Sequence, residues 1–313
     1  MKVHYGLQNI EISNSTAVTT GTFDGVHLGH EKILKSLVEE SKENNLESVV
    51  LTFWPHPRNV LRPENPLFLL SSLQEKIDLL GKYQIDHLVV IEFTQEFSQV
   101  NSKDFLSEII ESKLKTKLLI IGYDHRFGKN QEGSFDYIKN NQNDYTFDIK
   151  EIECQDVDSL TVSSTEIRKA LQIGDVHNAR KLLGYKYTLG GKVVLGNQIG
   201  RKMNFPTANI DLELKTKLIP QDGVYTVSVL VNSKVYYGML NIGVRPTIDS
   251  KNKTIEVHIF DFDQDIYGKD IKVAFIAKIR DERKFNGLDE LQKQLKEDQL
   301  SAIKIIENEK IRN

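Results

Sequence analysis

The chain has one cysteine, Cys154, in 313 residues, so it can form no internal disulfide and no cysteine-based metal site; a reducing cytoplasm suits it. It lacks an unbroken apolar run near the ~18 residues that a membrane span requires. Its 39% hydrophobic residues nevertheless suffice for real cores. The opening Met1-Lys2-Val3-His4-Tyr5-Gly6 has neither the apolar stretch nor the cleavage site of a secretory signal, so export is not expected. Charge of one sign is also missing. Lys+Arg total 41 against 44 Asp+Glu, without the basic excess that marks many nucleic-acid binders. Repeats and low-complexity tracts are absent, and Lys113-Leu114-Lys115-Thr116-Lys117 is short and interrupted, a solvated helix end. What remains is a soluble protein with no membrane or nucleic-acid partner.

The length suits two domains. In the first part, apolar runs at Val49-Val50-Leu51-Thr52-Phe53, His87-Leu88-Val89-Val90-Ile91 and Leu118-Leu119-Ile120-Ile121 read as buried strands of a parallel sheet. Helical patterns lie between them. Ser72 and Glu75 form a capping box before Ile77, Leu79 and Leu80, and Ser102 precedes Phe105, Leu106, Ile109 and Ile110 at helical spacing. This alternation predicts a doubly wound α/β domain with ligands at the carboxyl ends of its strands. Two short helices follow, Ser164 to Ile173 and Asp175 to Leu183, closed by Gly174 and Gly184. Beyond Gly184, strand patterns succeed one another at 187–195, 223–231, 235–242, 255–260 and 271–279, predicting an antiparallel barrel or sandwich. From Leu288 to about Ile306 the spacing is helical again. The boundary is expected near Gly184 to Lys186, giving domains 1–185 and 186–313.

The densest motif is Gly21-Thr22-Phe23-Asp24-Gly25-Val26-His27-Leu28-Gly29-His30, between an extended stretch (Thr16 to Thr20) and a helix with Ile33, Leu34, Leu37 and Val38 on one face. Strand-to-helix turns of this kind bind phosphate, because free N–H groups and the positive end of the helix face the ligand. His27 and His30, three apart, share a side if the turn is already helical. The ordinary alternative is a tight turn with surface histidines. Three later segments fall where a strand-end site would collect them. Thr52-Phe53-Trp54-Pro55-His56-Pro57 holds His56 between prolines in an extended exit or a rigid loop. Gly122-Tyr123-Asp124-His125-Arg126-Phe127-Gly128 sets a carboxylate, a cation and aromatic rings between glycines, although Asp124 and Arg126 could simply pair on the surface. Ser163-Ser164-Thr165-Glu166-Ile167-Arg168 suits polyphosphate or is just a capping box.

In the second part, Gly196 and Gly200 bracket a turn that carries Arg201 and Lys202, and Thr207 and Asn209 follow on extended backbone with neutral oxygens of the kind Mg²⁺ accepts. In Ile255-Glu256-Val257-His258-Ile259-Phe260 the aliphatics fill one face and Glu256 and His258 share the other. That is either a half-exposed strand or a carboxylate placed to take a proton from an attacking hydroxyl.

In order, Gly-Thr-Phe-Asp-Gly-Val-His-x-Gly-His, Thr-Phe-x-Pro-His-Pro, Gly-x-Asp-x-Arg-Phe-Gly and Ser-Ser-Thr-x-Ile-Arg resemble the adenylyltransferase half of the bacterial bifunctional riboflavin kinase/FMN adenylyltransferases. Gly-Arg-x-x-x-Phe-Pro-Thr-Ala-Asn, Asn241-Ile242-Gly243-Val244-Arg245-Pro246-Thr247, Glu256-x-His258-Ile259-Phe260-Asp261-Phe262 and Tyr267-Gly268 resemble the riboflavin kinase domain. The resemblance implies a Rossmann-like α/β nucleotidyltransferase domain, then a six-stranded antiparallel β-barrel kinase domain with a C-terminal helix. It implies riboflavin, FMN and ATP as small-molecule partners of a monomer or weak homo-oligomer, with Mg²⁺ as cofactor, ATP as co-substrate, FMN as intermediate and FAD as product. For adenylyl transfer it implies ATP at Gly21, Phe23, Asp24, His27, Gly29, His30, Ser163, Ser164, Thr165 and Arg168, and flavin at His56, Asp124, Arg126 and Phe127. His27, His30 and Arg168 would stabilise charge in that reaction. For the kinase it implies phosphates at Gly196, Gly200, Arg201, Lys202, Thr207 and Asn209, metal at Thr207 and Asn209, Glu256 as base, and Arg280, Arg283 and Phe285 closing over flavin. His125 stands where an aromatic residue is expected. Rival readings are another nucleotidylyltransferase, a synthetase-like protein, which the absent Lys-Met-Ser-Lys motif disfavours, and a flavin-binding regulator.

Overall fold

The computed structural model describes residues 1–8, 10–123, 125–158, 160–196, 200–246 and 251–312. Asp124, residues 197–199, Thr247 and the side chains of Arg201 and Lys202, all parts of the motifs above, lie outside the described set. The chain forms two compact units, Met1–Ser164 and Thr165–Asn313.

In the first unit six strands form one parallel sheet: β1 (Lys2–Tyr5), β2 (Thr16–Thr20), β3 (Glu47–Trp54), β4 (His87–Glu92), β5 (Thr116–Gly122) and β6 (Asp148–Ile152). Their order is β1-β4-β3-β2-β5-β6. Alternate residues of the apolar runs face opposite cores, which is why these strands read as continuous hydrophobic stretches. Val18, Val49, Leu51, Val89 and Leu119 meet Phe105, Leu106, Ile109 and Ile110 on one side. Ala17, Val50, Leu88, Val90 and Ile120 meet Leu34 and Leu37 of α1 (Leu28–Glu43) on the other. The chain leaves β2 toward β3 and later returns to β2's other flank as β5, so the topological switch point lies at the carboxyl end of β2.

The helices between strands are α2 (Pro57–Leu61), α3 (Leu73–Leu80), α4 (Ser102–Asp104) and α5 (Phe135–Asn140). The capping box at Ser72 and Glu75 is present. Ser102 is not a cap. Asn101 caps α4, accepting from the Asp104 N–H at 2.8 Å, and the chain then winds as a π-helix over Phe105–Lys113. A two-stranded ribbon, β7 (Asp156–Val157) and β8 (Leu160–Thr161), leads to α6 (Ser164–Gln172).

The division into units falls between Ser164 and Thr165, at the start of α6. α6 and α7 (Val176–Leu183) turn on Gly174 (φ +78°) and Gly184 (φ +82°), and at Gly174 a Cβ would stand 2.7 Å from Lys278 Nζ and 2.9 Å from the Tyr225 hydroxyl. The rest of this unit is a closed antiparallel barrel in the order β10-β13-β12-β11-β14-β9. Its strands are β9 (Thr188–Val194), β10 (Ala208–Leu212), β11 (Gly223–Val231), β12 (Lys234–Pro246), β13 (Lys251–Ile259) and β14 (Asp270–Arg280). The sixth strand, β10, follows directly on the Phe205-Pro206-Thr207 motif. Outside the barrel, Val224 and Met239 pack with Met203, Phe205 and Ala302 of α8 (Leu288–Arg312).

Candidate active sites

In the first unit the turn after β2 lies at the switch point. Phe23 (φ +46°), Gly25 (φ +82°) and Val26 (φ +37°) are all left-handed. For Phe and the β-branched Val this conformation costs about 1–3 kcal/mol each. Burial of both rings and branches in the core offsets it, and Asp24 adds polar anchors. Its carboxylate faces inward and accepts from the Leu70 and Ser71 N–H groups, each at 3.0 Å, and from the Ser71 hydroxyl at 3.1 Å. Gly25 N–H donates to Ser71 Oγ at 3.0 Å. Asp24 therefore braces the turn with its side chain.

His27 is the N-cap of α1, its Nδ1 accepting from the His30 N–H at 3.3 Å. With Nδ1 engaged as acceptor, the neutral ring carries its proton on Nε2 and is a donor there. The His30 ring stacks on it at 3.7 Å and 16°. Gly29 makes room: a Cβ would lie 3.1 Å from His27 Cε1. Burial first, then His27 and Lys76, push His30 well below the usual histidine range, so it is neutral at pH 7. Its Nδ1 is buried with no partner among the described residues.

Ser164 Oγ donates to the Asp24 carbonyl at 3.0 Å, which brings the Ser163-Ser164 segment beside the turn. Thr165 and Arg168 follow on α6, Arg168 half-buried. His56 caps α2 through Nδ1, 3.2 Å from the Arg58 N–H, and Pro57 is the first helical residue, so Pro-His-Pro starts a helix and is not merely a loop. Phe127 is buried against Phe105, ring centres 5.5 Å apart. Arg126 is exposed and donates to the His125 carbonyl at 3.1 Å. The His125 ring stacks on Phe127 at 5.8 Å and has a buried Nε2 with no partner among the described residues. Burial, with Arg126 adding repulsion, lowers its pKa to about 4.

On the barrel, Ile255, Val257 and Ile259 are buried while Glu256 and His258 lie half-buried on the other face, as the alternation predicts. Thr207 Oγ1 donates to Glu256 Oε2 at 3.2 Å. Glu256 pairs with Asn209 on β10 and with Asn241 on β12, so an Asn-Glu-Asn row crosses three strands. His258 Nδ1 donates to the Pro206 carbonyl at 2.8 Å, pinning the Thr207 segment to β13. The bracketing glycines are required by close approach: a Cβ on Gly196 would stand 2.1 Å from the Asn209 amide nitrogen, and one on Gly200 2.2 Å from the Phe205 carbonyl. The donor set of a hydroxyl, an amide oxygen and one carboxylate fits Mg²⁺, which takes few protein ligands and keeps waters and phosphates. Arg280 forms a two-point pair with Asp298 of α8, Nε to Oδ1 at 2.9 Å and Nη2 to Oδ2 at 2.8 Å. Its guanidinium therefore ties β14 to the helix. Arg283 lies over the Phe285 ring at 4.9 Å.

The sequence profile of the FAD synthetase family matches residues 9–166, and that of riboflavin kinase matches 183–306. The chain is 35% identical over 305 residues to the bifunctional riboflavin kinase/FMN adenylyltransferase of Escherichia coli strain K12, covering 96% of this chain and 97% of that protein. It is 37% identical over 302 residues to the bifunctional riboflavin kinase/FMN adenylyltransferase of Bacillus subtilis strain 168, covering 94% and 93%. This chain belongs to the bifunctional riboflavin kinase/FMN adenylyltransferase family. A Streptococcus pneumoniae crystal structure described as a macrolide-efflux protein is also similar, with a TM-score of 0.87 at 30% identity over 96% of this chain and 98% of that one. Among the described residues here, no helix is long and apolar enough to cross a membrane.

Three side chains in this member of the riboflavin kinase/FMN adenylyltransferase family were given no role by the sequence. Lys76 is buried in α3, bonded to Thr52, and its signal is a charge within the apolar stripe Leu73, Ile77, Leu80. Asn241 joins Glu256 only through strand pairing. Asp298, which claims Arg280, looks in sequence like any acid on a charged helix.

Proposed function

We propose that this chain makes FAD from riboflavin in two ATP-dependent steps, one in each unit. In the barrel, Glu256 takes the proton from the riboflavin 5′-hydroxyl as that oxygen attacks the γ-phosphorus of ATP, giving FMN and ADP. Thr207 and Asn209 hold the nucleotide phosphates, and Mg²⁺ bound there supplies charge neutralisation. The Thr207 contact orients the Glu256 carboxylate. In the α/β unit the FMN phosphate, already an anion, attacks the α-phosphorus of ATP and releases pyrophosphate. No protein nucleophile is needed. The N–H groups at the start of α1, the His27 Nε2–H and the neutral His30 ring meet the charge that builds on the phosphates.

The observation that supports this reading is a different constellation in each of two compact units: a carboxylate bonded to a hydroxyl on the barrel, and paired imidazoles at a helix start on the parallel sheet. Functional halves are drawn at 1–185 and 186–313, with Arg168 counted in the first. The lone cysteine supports a cytoplasmic setting. The test is incubation with ATP, Mg²⁺ and either riboflavin or FMN, followed by separation of the fluorescent products. His27→Ala with His30→Ala should let FMN accumulate without FAD. Glu256→Gln should block FMN formation, by about 10²- to 10⁴-fold, while FMN is still converted to FAD. Loss of both activities in each folded variant would refute the two-site reading.

A further inference from the structure

Lys76 is a charge where the packing asks for a leucine. It is 2% exposed on the face of α3 that carries Leu73, Ile77 and Leu80 into the core. Among the described residues its ammonium has one hydrogen-bond acceptor, Thr52 Oγ1 at 3.3 Å. That hydroxyl donates in turn to the carbonyl of Thr22 at 3.2 Å, inside the phosphate turn. Trp54 offers its ring face 5.5 Å from the ammonium. Burial dominates the electrostatics and lowers the Lys76 pKa to about 8, with attraction to Asp24 opposing it. The charged and titratable groups that face Lys76 and His30 are Asp24, from the turn, and His27, from the start of α1.

A buried ammonium with so few acceptors weakens the fold, so its charge calls for a role outside the core. Two groups feel it. Asp24, which braces the turn, is attracted, and His30, whose Nδ1 is buried without a partner among the described residues, is kept from gaining a proton. We propose that Lys76 is a positioning residue for adenylyl transfer: anchored through Thr52 to the Thr22 carbonyl, it supplies fixed positive charge behind the His27–His30 turn that holds the ATP polyphosphate. The inference rests on the reading of that turn as the adenylyl-transfer site. The ammonium acts through the turn on an anion present in ground and transition states alike, so its loss raises KM for ATP more than it lowers kcat.

The test compares FMN adenylylation by the full-length enzyme and by Lys76→Met, Lys76→Gln and Lys76→Arg from pH 6 to 9.5, with riboflavin phosphorylation in the same samples as the control for enzyme amount and Trp54 fluorescence as the control for folding of the first unit. Met and Gln should raise KM for ATP by about tenfold at pH 7, with phosphorylation within about twofold; Arg should recover most of the loss. In the unaltered enzyme KM for ATP should rise above about pH 8 as Lys76 loses its proton, and this rise should be absent in Met and Gln. On the acid side, the His30 titration followed by NMR should move upward in Met. A KM for ATP in the unaltered enzyme that stays unchanged from pH 7 to 9.5 overturns the proposal even if every variant misfolds. So does Met matching the unaltered enzyme, or Arg failing like Met while folded. If FMN adenylylation survives His27→Ala with His30→Ala, the reading of the turn itself fails; if that pair abolishes it and the Lys76 series is silent, only the inference does.

Discussion

Lys76→Met should make the α/β unit more stable while making it a poorer adenylyltransferase. Met fills much the same volume with no charge. The folded environment lowers the Lys76 pKa from 10.5 to about 8, a net figure in which burial outweighs the attraction of Asp24. At 1.36 kcal/mol per pKa unit, the protonated form costs the fold about 3 kcal/mol at pH 7. Because the folded value lies below the unfolded one, the penalty is complete below about pH 8 and fades as pH rises toward 10.5. Trp54 is the single tryptophan and lies in this unit beside Lys76, so its fluorescence during urea unfolding reads the α/β unit alone. With a slope of about 2 kcal/mol per molar urea, the Met midpoint should lie about 1.5 M higher at pH 7. The gain should shrink to under about 1 kcal/mol at pH 10. A midpoint that falls, or a gain as large at pH 10 as at pH 7, would refute the argument that an uncompensated buried charge sits there.

Gly196→Ala places a methyl 2.1 Å from the Asn209 amide nitrogen and must displace that side chain. KM for ATP in riboflavin phosphorylation should rise at least about tenfold while FMN adenylylation is unchanged, as initial rates will show. Asp298→Asn takes from the Arg280 guanidinium, now paired at two points, its buried counter-charge; calorimetry should find the barrel destabilised by about 3–5 kcal/mol. His125→Phe removes a ring held neutral in the fold, with a pKa near 4 against an ordinary 6.5. The unaltered protein loses stability from this group as pH falls from 6.5 toward 4, and the Phe variant should show a shallower acid loss in Trp54-monitored unfolding between those limits.

The sequence alone determined whatever depends on neighbours within a turn or along one strand. The capping box at Ser72, the glycine stops at Gly174 and Gly184, and the alternation that sets Glu256 and His258 against Ile255, Val257 and Ile259 are all such features, and all are present. So is the position of Gly21 to His30 between strand and helix, because hydrogen bonding within the chain fixes helix starts. Tertiary structure decided what depends on partners far along the chain. The Asp24 carboxylate finds its partners in the N–H groups of Leu70 and Ser71, 46 and 47 residues along the chain. Asn241 meets Glu256 only in the β12–β13 register, and Arg280 finds Asp298 only once α8 lies on the barrel. Lys76 shows the difference most clearly. Its burial follows from the packing of α3 against the sheet, and a charge in an apolar stripe can be read in the sequence long before its partner, its cost or its purpose can.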